Sequence, residues 1–140
     1  MARIYLSFSY ADFTSASIVY NSCKVNRIPS PIFLEQAVWN GARKKGDGAT
    51  KELIDRALSH ADITVFLIGR NTYVDTWCAY ALRKSIEAQK GVFGIHLPNQ
   101  MQPGKADWLL NKGALVYEWD SAGLRGWMLA AIQKSLTKAS

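Results

Sequence analysis

The 140-residue chain is about one domain long, and with 49% hydrophobic against 20% charged residues it carries enough apolar surface for a full core, which excludes intrinsic disorder. Its two cysteines, Cys23 and Cys78, lack CxxC or Cys/His ligand spacing, and no 18-residue apolar run occurs, which excludes a disulfide framework, a zinc site and a membrane span. The net charge of +6 is spread along the chain with one dense group, ARKKG at 42–46, a distribution that argues against nucleic acid as a partner and suits a small phosphate-bearing ligand.

The first apolar run, IYLSFSY at 4–10, reads as a strand, and the loop SFSYAD brings Ser7, Phe8, Ser9, Tyr10 and Asp12 to its end. Hydroxyls and a carboxylate beside aromatic rings can line a ligand site, and Asp12 or Ser9 can equally cap the helix that follows. That helix, 12–26, is predicted from Phe13, Ile18 and Val25 on one face, against the weak helix formers Thr14, Ser15, Ser17 and Asn21. PIFLE at 31–35 reads as a second strand. WNGARKKGDGATKE at 39–52 combines Trp39, four basic residues including Lys44 and Lys45, and three glycines; it lacks P-loop spacing and reads as a solvated loop able to serve as a lid.

Over 49–61 the apolar residues Leu53, Ile54, Ala57, Leu58 and Ala61 form one helical stripe, and ITVFLIG at 63–69 follows as a strand. The next helix carries DTWCAYALRKS, residues 75–85. At 100° per residue, Cys78, Leu82, Ser85 and Ile86 share one face and Trp77, Tyr80 and Lys84 another, with Ala81 at the border. Residue 81 is therefore expected to look along the rim of the core into the crevice at the strand ends. VFGIHL at 92–97 and ALVYEW at 114–119 read as the last strands, separated by a loop over 98–107 and a turn at 108–110. The closing helix is predicted from Ser121 as N-cap and from Leu124, Met128, Ile132 and Leu136 at spacing four.

This alternation predicts one domain over 1–140, an α/β fold with a mainly parallel five-stranded sheet, helices on both faces and the ligand site at the carboxyl ends of the strands. His60 and His96 have no partner spacing for a metal or a triad and read as a helix end and a strand end. Glu35 and Glu118 end strands and are the remaining acids near such a site. The alternating N-terminus, MARIYLSFSY, is not a continuous apolar leader, and a reducing, cytoplasmic location is expected.

YLSFSYAD, Trp39 before a basic stretch, VFLIGRNTYVDTW, the run from Tyr80 to Ile86 and VFGIHL occur in an order and spacing that resemble the TIR-like domains of the bacterial Thoeris antiphage system over roughly residues 3–97. The resemblance implies a flavodoxin-like TIR fold and cleavage of the nicotinamide–ribose bond of NAD+, a substrate rather than a resident cofactor. It also implies an ADP-ribose-derived, often cyclic signal that activates an effector protein, a phage-derived trigger, and self-association on activation. In these relatives a catalytic glutamate follows the helix tyrosine. Here that position is Ala81, which implies a disabled chain, with a non-catalytic interaction module as the alternative. The same resemblance would put Ser7, Phe8, Ser9, Tyr10 and Asp12 around the nicotinamide ribose, Trp39, Lys44 and Lys45 over the nucleotide, and Trp77, Tyr80 and Ser85 beside position 81.

Overall fold

The structure is a computed structural model that describes residues 3–28, 31–98, 100 and 102–139, the side chains of 121 and 134–139 excepted. Four strands form one parallel sheet in the order β1 (Ile4–Phe8), β2 (Ile63–Ile68), β3 (Gly91–His96) and β4 (Leu115–Glu118). Every residue of β1 and β2 is buried, as a parallel sheet covered on both faces requires. Side chains alternate between two cores. Ile4, Leu6, Phe8, Val65 and Leu67 meet α1 (Phe13–Val25) and α6 (Leu124–Ala139) on one face. Tyr5, Phe66 and Ile68 meet α3 (Asp47–Ser59), α4 (Thr76–Glu87) and α5 (Asp107–Leu110) on the other.

The expected fifth strand at 31–35 is reduced to a single parallel bridge between Ile32 and Tyr5, made by Leu6 N donating to Ile32 O and Ile32 N to Ile4 O. Pro31 has no N–H to give a ladder, and the chain turns away at Glu35 into a helix. That helix is the second correction. Residues 36–45, expected mostly as loop, form α2 (Gln36–Lys45). Ala37, Ala42, Arg43, Lys44 and Lys45 favour helix, the basic residues sit at the negative end of its dipole, and Gly46 at φ 116° stops it where a side chain would be strained.

Before the closing helix, Asp120 caps the short turn Ser121–Gly123, its carboxylate accepting from Ala122 N over 3.1 Å, while the side chain of Ser121, the expected cap, lies outside the described side chains. Leu124 and Met128 are buried as expected, while Leu136 lies outside the described side chains. The 98–107 loop is described except at 99 and 101.

The connections determine where a ligand can enter. From β1 the chain crosses one face through α1 to Ile32 on one side of β1, then returns over the other face through α2 and α3 to β2 on its opposite side. Successive connections thus leave in opposite directions from β1. The carboxyl ends of β1 and β2 flank that switch point, where an open α/β sheet presents a crevice.

Candidate functional site

The end of β1 is an aromatic platform. Phe8 is buried with its ring 4.5 Å from Tyr10 and 5.4 Å from Phe33. Tyr10 lies flat on Trp39, centroids 4.4 Å apart at 6°, and its hydroxyl donates to Leu34 O at 2.7 Å. Trp39 meets the Trp77 ring edge-on at 6.4 Å, and the Arg43 guanidinium sits 4.8 Å over Trp77. The strand-end loop, α2 and the start of α4 are therefore joined by one run of rings, Tyr10, Trp39 and Trp77. Such offset and edge contacts contribute about 0.5–1.5 kcal/mol each beyond burial. Burial pushes the Tyr10 hydroxyl well above the usual phenol range, so it acts as a neutral donor.

Below the rings, Ser7 is buried and its hydroxyl donates weakly to Cys78 Sγ at 3.8 Å. Burial, with Asp75 adding to it, holds the Cys78 thiol well above its ordinary value, which makes it an inert part of the core. Asp75 starts α4 by accepting from Trp77 N at 2.9 Å and Cys78 N at 3.0 Å. Ser9 is half-buried and makes no capping bond with its side chain.

Asp12 occupies the N-cap position of α1, yet its carboxylate caps nothing. It lies against Gly69 at the end of β2, where an added Cβ would fall 2.7 Å from Asp12 Cγ and 2.8 Å from Gln100 Oε1. Gly69 N donates to Thr72 Oγ1 at 2.8 Å, and Gln100 Nε2 donates to Ser15 Oγ at 3.2 Å. Burial, and then the negative charge of Asp75, raises the Asp12 carboxyl above its ordinary value. Sequence reading named Asp12 as a candidate but did not connect it with Ser15, Gly69, Thr72, Asp75 or Gln100. A glycine directly after an apolar strand, with Thr three residues on, was the one local signal; Gln100 is 85 positions from Ser15 and has none.

Three expectations are corrected. Ala81 is not on a rim: its exposure is zero, it sits in the core with Tyr5, Phe66, Ile68, Cys78 and Leu82, and it lines neither of the two described cavities. The helix turns residue 81 under the sheet because Cys78, Ala81, Leu82 and Ser85 form its continuous buried stripe. Ser85 is equally enclosed, its hydroxyl 2.7 Å from Thr64 Oγ1 and donating to Ala81 O at 2.7 Å, a core hydrogen bond between helix and strand. Tyr80 points to α3, where its hydroxyl donates to Asp55 at 2.7 Å and is pushed up to about 12 by partial desolvation and that bond. Lys44 and Lys45 are exposed at the end of α2.

The two cavities lie elsewhere. One, about 240 Å³, opens at the amino ends of β3 and β4 beside Leu82, Ile86, Lys90 and Lys112; the other, about 340 Å³, runs along α4 beside Tyr73 and Trp108. His96 ends β3 opposite Glu118, with Nδ1 buried and without a hydrogen-bond partner among the described residues; burial lowers its pKa, opposed by Glu118. Among the described residues no group of His, Cys, Asp and Glu could hold a metal ion, and no helix is long and apolar enough to cross a membrane.

Comparison with known proteins matches residues 5–102 to the family described as "Thoeris protein ThsB, TIR-like domain". A protein of Bacillus cereus (strain MSX-D12) named "Putative cyclic ADP-D-ribose synthase ThsB1" is 33% identical over 99 residues, 68% of this chain and 51% of the relative. The chain therefore spans about half the length of that relative.

Proposed function

Because the chain belongs to the TIR-like domain family of the Thoeris protein ThsB, we propose that it processes NAD+, breaking the bond between nicotinamide and ribose and converting the remainder to an ADP-ribose-derived signal that acts on an effector. The observation that carries this reading is the likeness to a relative whose name says cyclic ADP-D-ribose synthase. Supporting it is the arrangement at the switch point, where the Tyr10, Trp39 and Trp77 rings form one run and Asp12, two residues after Tyr10, has a carboxylate without a hydrogen-bond partner among the described residues.

Cleavage of an N-glycosidic bond builds positive charge on the ribose carbon as the electron pair leaves with nicotinamide. Flat rings hold a planar base by stacking, and a partly desolvated carboxylate stabilises the developing charge more than one in water. Homo-oligomerisation on activation and a phage-derived trigger belong to the same reading.

Ala81, which offers neither acid nor base at the position where the resemblance expects a catalytic glutamate, favours a second reading, in which the chain has no turnover of its own and acts by self-association. Chromatography of NAD+ incubated with the chain, and with Ala81→Glu, separates the two. Nicotinamide from the chain itself supports turnover with the residues present. Release from Ala81→Glu alone supports an enzyme disabled at 81. NAD+ left intact by both, with concentration-dependent assembly, supports the interaction module.

A further inference from the structure

We infer that Asp12 is the general base of the proposed reaction, the carboxylate that takes the proton from the hydroxyl attacking the ribose; this rests on the NAD+-processing reading. Three independent features converge on it. The first is topology: Asp12 follows β1 and Gly69 follows β2, the two strands whose carboxyl ends flank the switch point, where open α/β sheets bind their ligands.

The second is that no hydrogen bond or ion pair among the described residues occupies the carboxylate. It sits at the N-cap position of α1 without capping, and no described residue donates to it or pairs with it. Asp75, the other acid of the crevice, is different, since two backbone N–H groups of α4 occupy it.

The third is the cradle. At Gly69 any side chain would collide with the Asp12 carboxyl and the Gln100 amide, so the bare backbone there is what lets both groups lie over the strand end. Thr72 accepts from Gly69 N and Ser15 accepts from Gln100 Nε2, which leaves the Asp12 carboxylate and the Gln100 amide oxygen as acceptors over the strand end, and of these two the carboxylate is the one that can take a proton. Burial and the neighbouring Asp75 make its carboxylate more basic than one in water, the direction that favours proton abstraction near neutral pH.

The step balances without an added reagent. The bond between the ribose anomeric carbon and the nicotinamide nitrogen breaks and its electron pair leaves with neutral nicotinamide. The oxygen of water, or of another hydroxyl, bonds to that carbon, and its proton passes to Asp12. A later proton loss to solvent resets the carboxylate.

Nicotinamide release is measured on the full chain and on Ala81→Glu, each alone, with Asp12→Asn, and with Asp12→Ala in the presence and absence of formate. In whichever background turns over, Asp12→Asn is expected to lower kcat about 10² to 10⁴-fold while KM moves less than about threefold. Formate, a free carboxylate, is expected to restore Asp12→Ala at least about fivefold, a rescue that loss of a merely structural aspartate would not show. Release by Asp12→Asn within about twofold of its parent, or no rescue of Asp12→Ala, overturns the assignment and leaves the NAD+ reading standing. No release from either background removes the reading and the assignment together.

Discussion

Ala81→Glu puts a carboxylate where the structure has no solvent and no donor set for it. The methyl is wholly enclosed in the core, and Ser85 already occupies the carbonyl of residue 81. Extra heavy atoms in a filled core cost about 1–3 kcal/mol through displaced neighbours. Neutralising the new acid at pH 7, from an ordinary glutamate value near ~4.3, costs about another 3.7 kcal/mol, the most that ionisation can then penalise the fold. A loss of up to about 5–7 kcal/mol is expected, which for a chain of this size lowers the thermal midpoint by up to roughly 20 °C. Ala81→Met separates the terms, since it adds volume without charge and should lose only about 1–3 kcal/mol. The buried glutamate takes up protons more tightly folded than unfolded, so its charge penalty is present at neutral pH and relieved as pH falls towards its unfolded value. The gap between the Glu and Met variants should therefore narrow between pH 7 and about pH 4.5. Thermal unfolding followed by circular dichroism across that range is the assay. A midpoint for Ala81→Glu within about 2 °C of the parent at pH 7 would refute the reasoning and show that residue 81 opens on a hollow.

Ser85→Ala removes the partner of Thr64 in the core and should cost about 1–3 kcal/mol, whereas Thr64→Val with Ser85→Ala should recover part of it; denaturant midpoints of the two single variants and the pair check this. Gly69→Ala meets the ends of the flexible Asp12 and Gln100 side chains, so a stability change under about 1 kcal/mol is expected together with a larger fall in nicotinamide release, read by unfolding and turnover on the same sample. Trp39→Ala removes the ring between Tyr10 and Trp77 and should destabilise by about 3–5 kcal/mol, visible in the urea midpoint. His96 has its proton affinity lowered in the fold, so the unfolded chain binds more protons and stability should drop as pH falls through the ordinary histidine value of 6.5; His96→Gln should flatten that part of the curve.

The parts of the fold legible in the sequence are those where burial is complete. IYLSF and ITVFLI could only be strands covered on both faces, and Leu53, Ile54, Ala57 and Leu58 could only be one face of a helix. Residues 31–35 misled because an apolar run shows that a segment is buried but not that its N–H groups have a ladder to join. Residues 39–45 misled because glycine and charge suggested a loop while the helix propensity of Ala, Arg and Lys and the C-terminal dipole favoured α2. At the site, local sequence singled out Tyr10, Asp12 and Trp39 as candidates, but placing Ala81 half a face out on its helix turned a core methyl into an expected rim position. The cradle of Asp12 depends on Gly69 and Gln100, which only the closed sheet brings together.

The most direct measurement is the time course of NAD+ with the purified chain and with Ala81→Glu, resolving nicotinamide from the ADP-ribose-derived product. NAD+ processing predicts that nicotinamide appears in step with NAD+ loss and that the release falls when Asp12 is changed to Asn. NAD+ that stays intact with both proteins, at concentrations where they assemble, would contradict it.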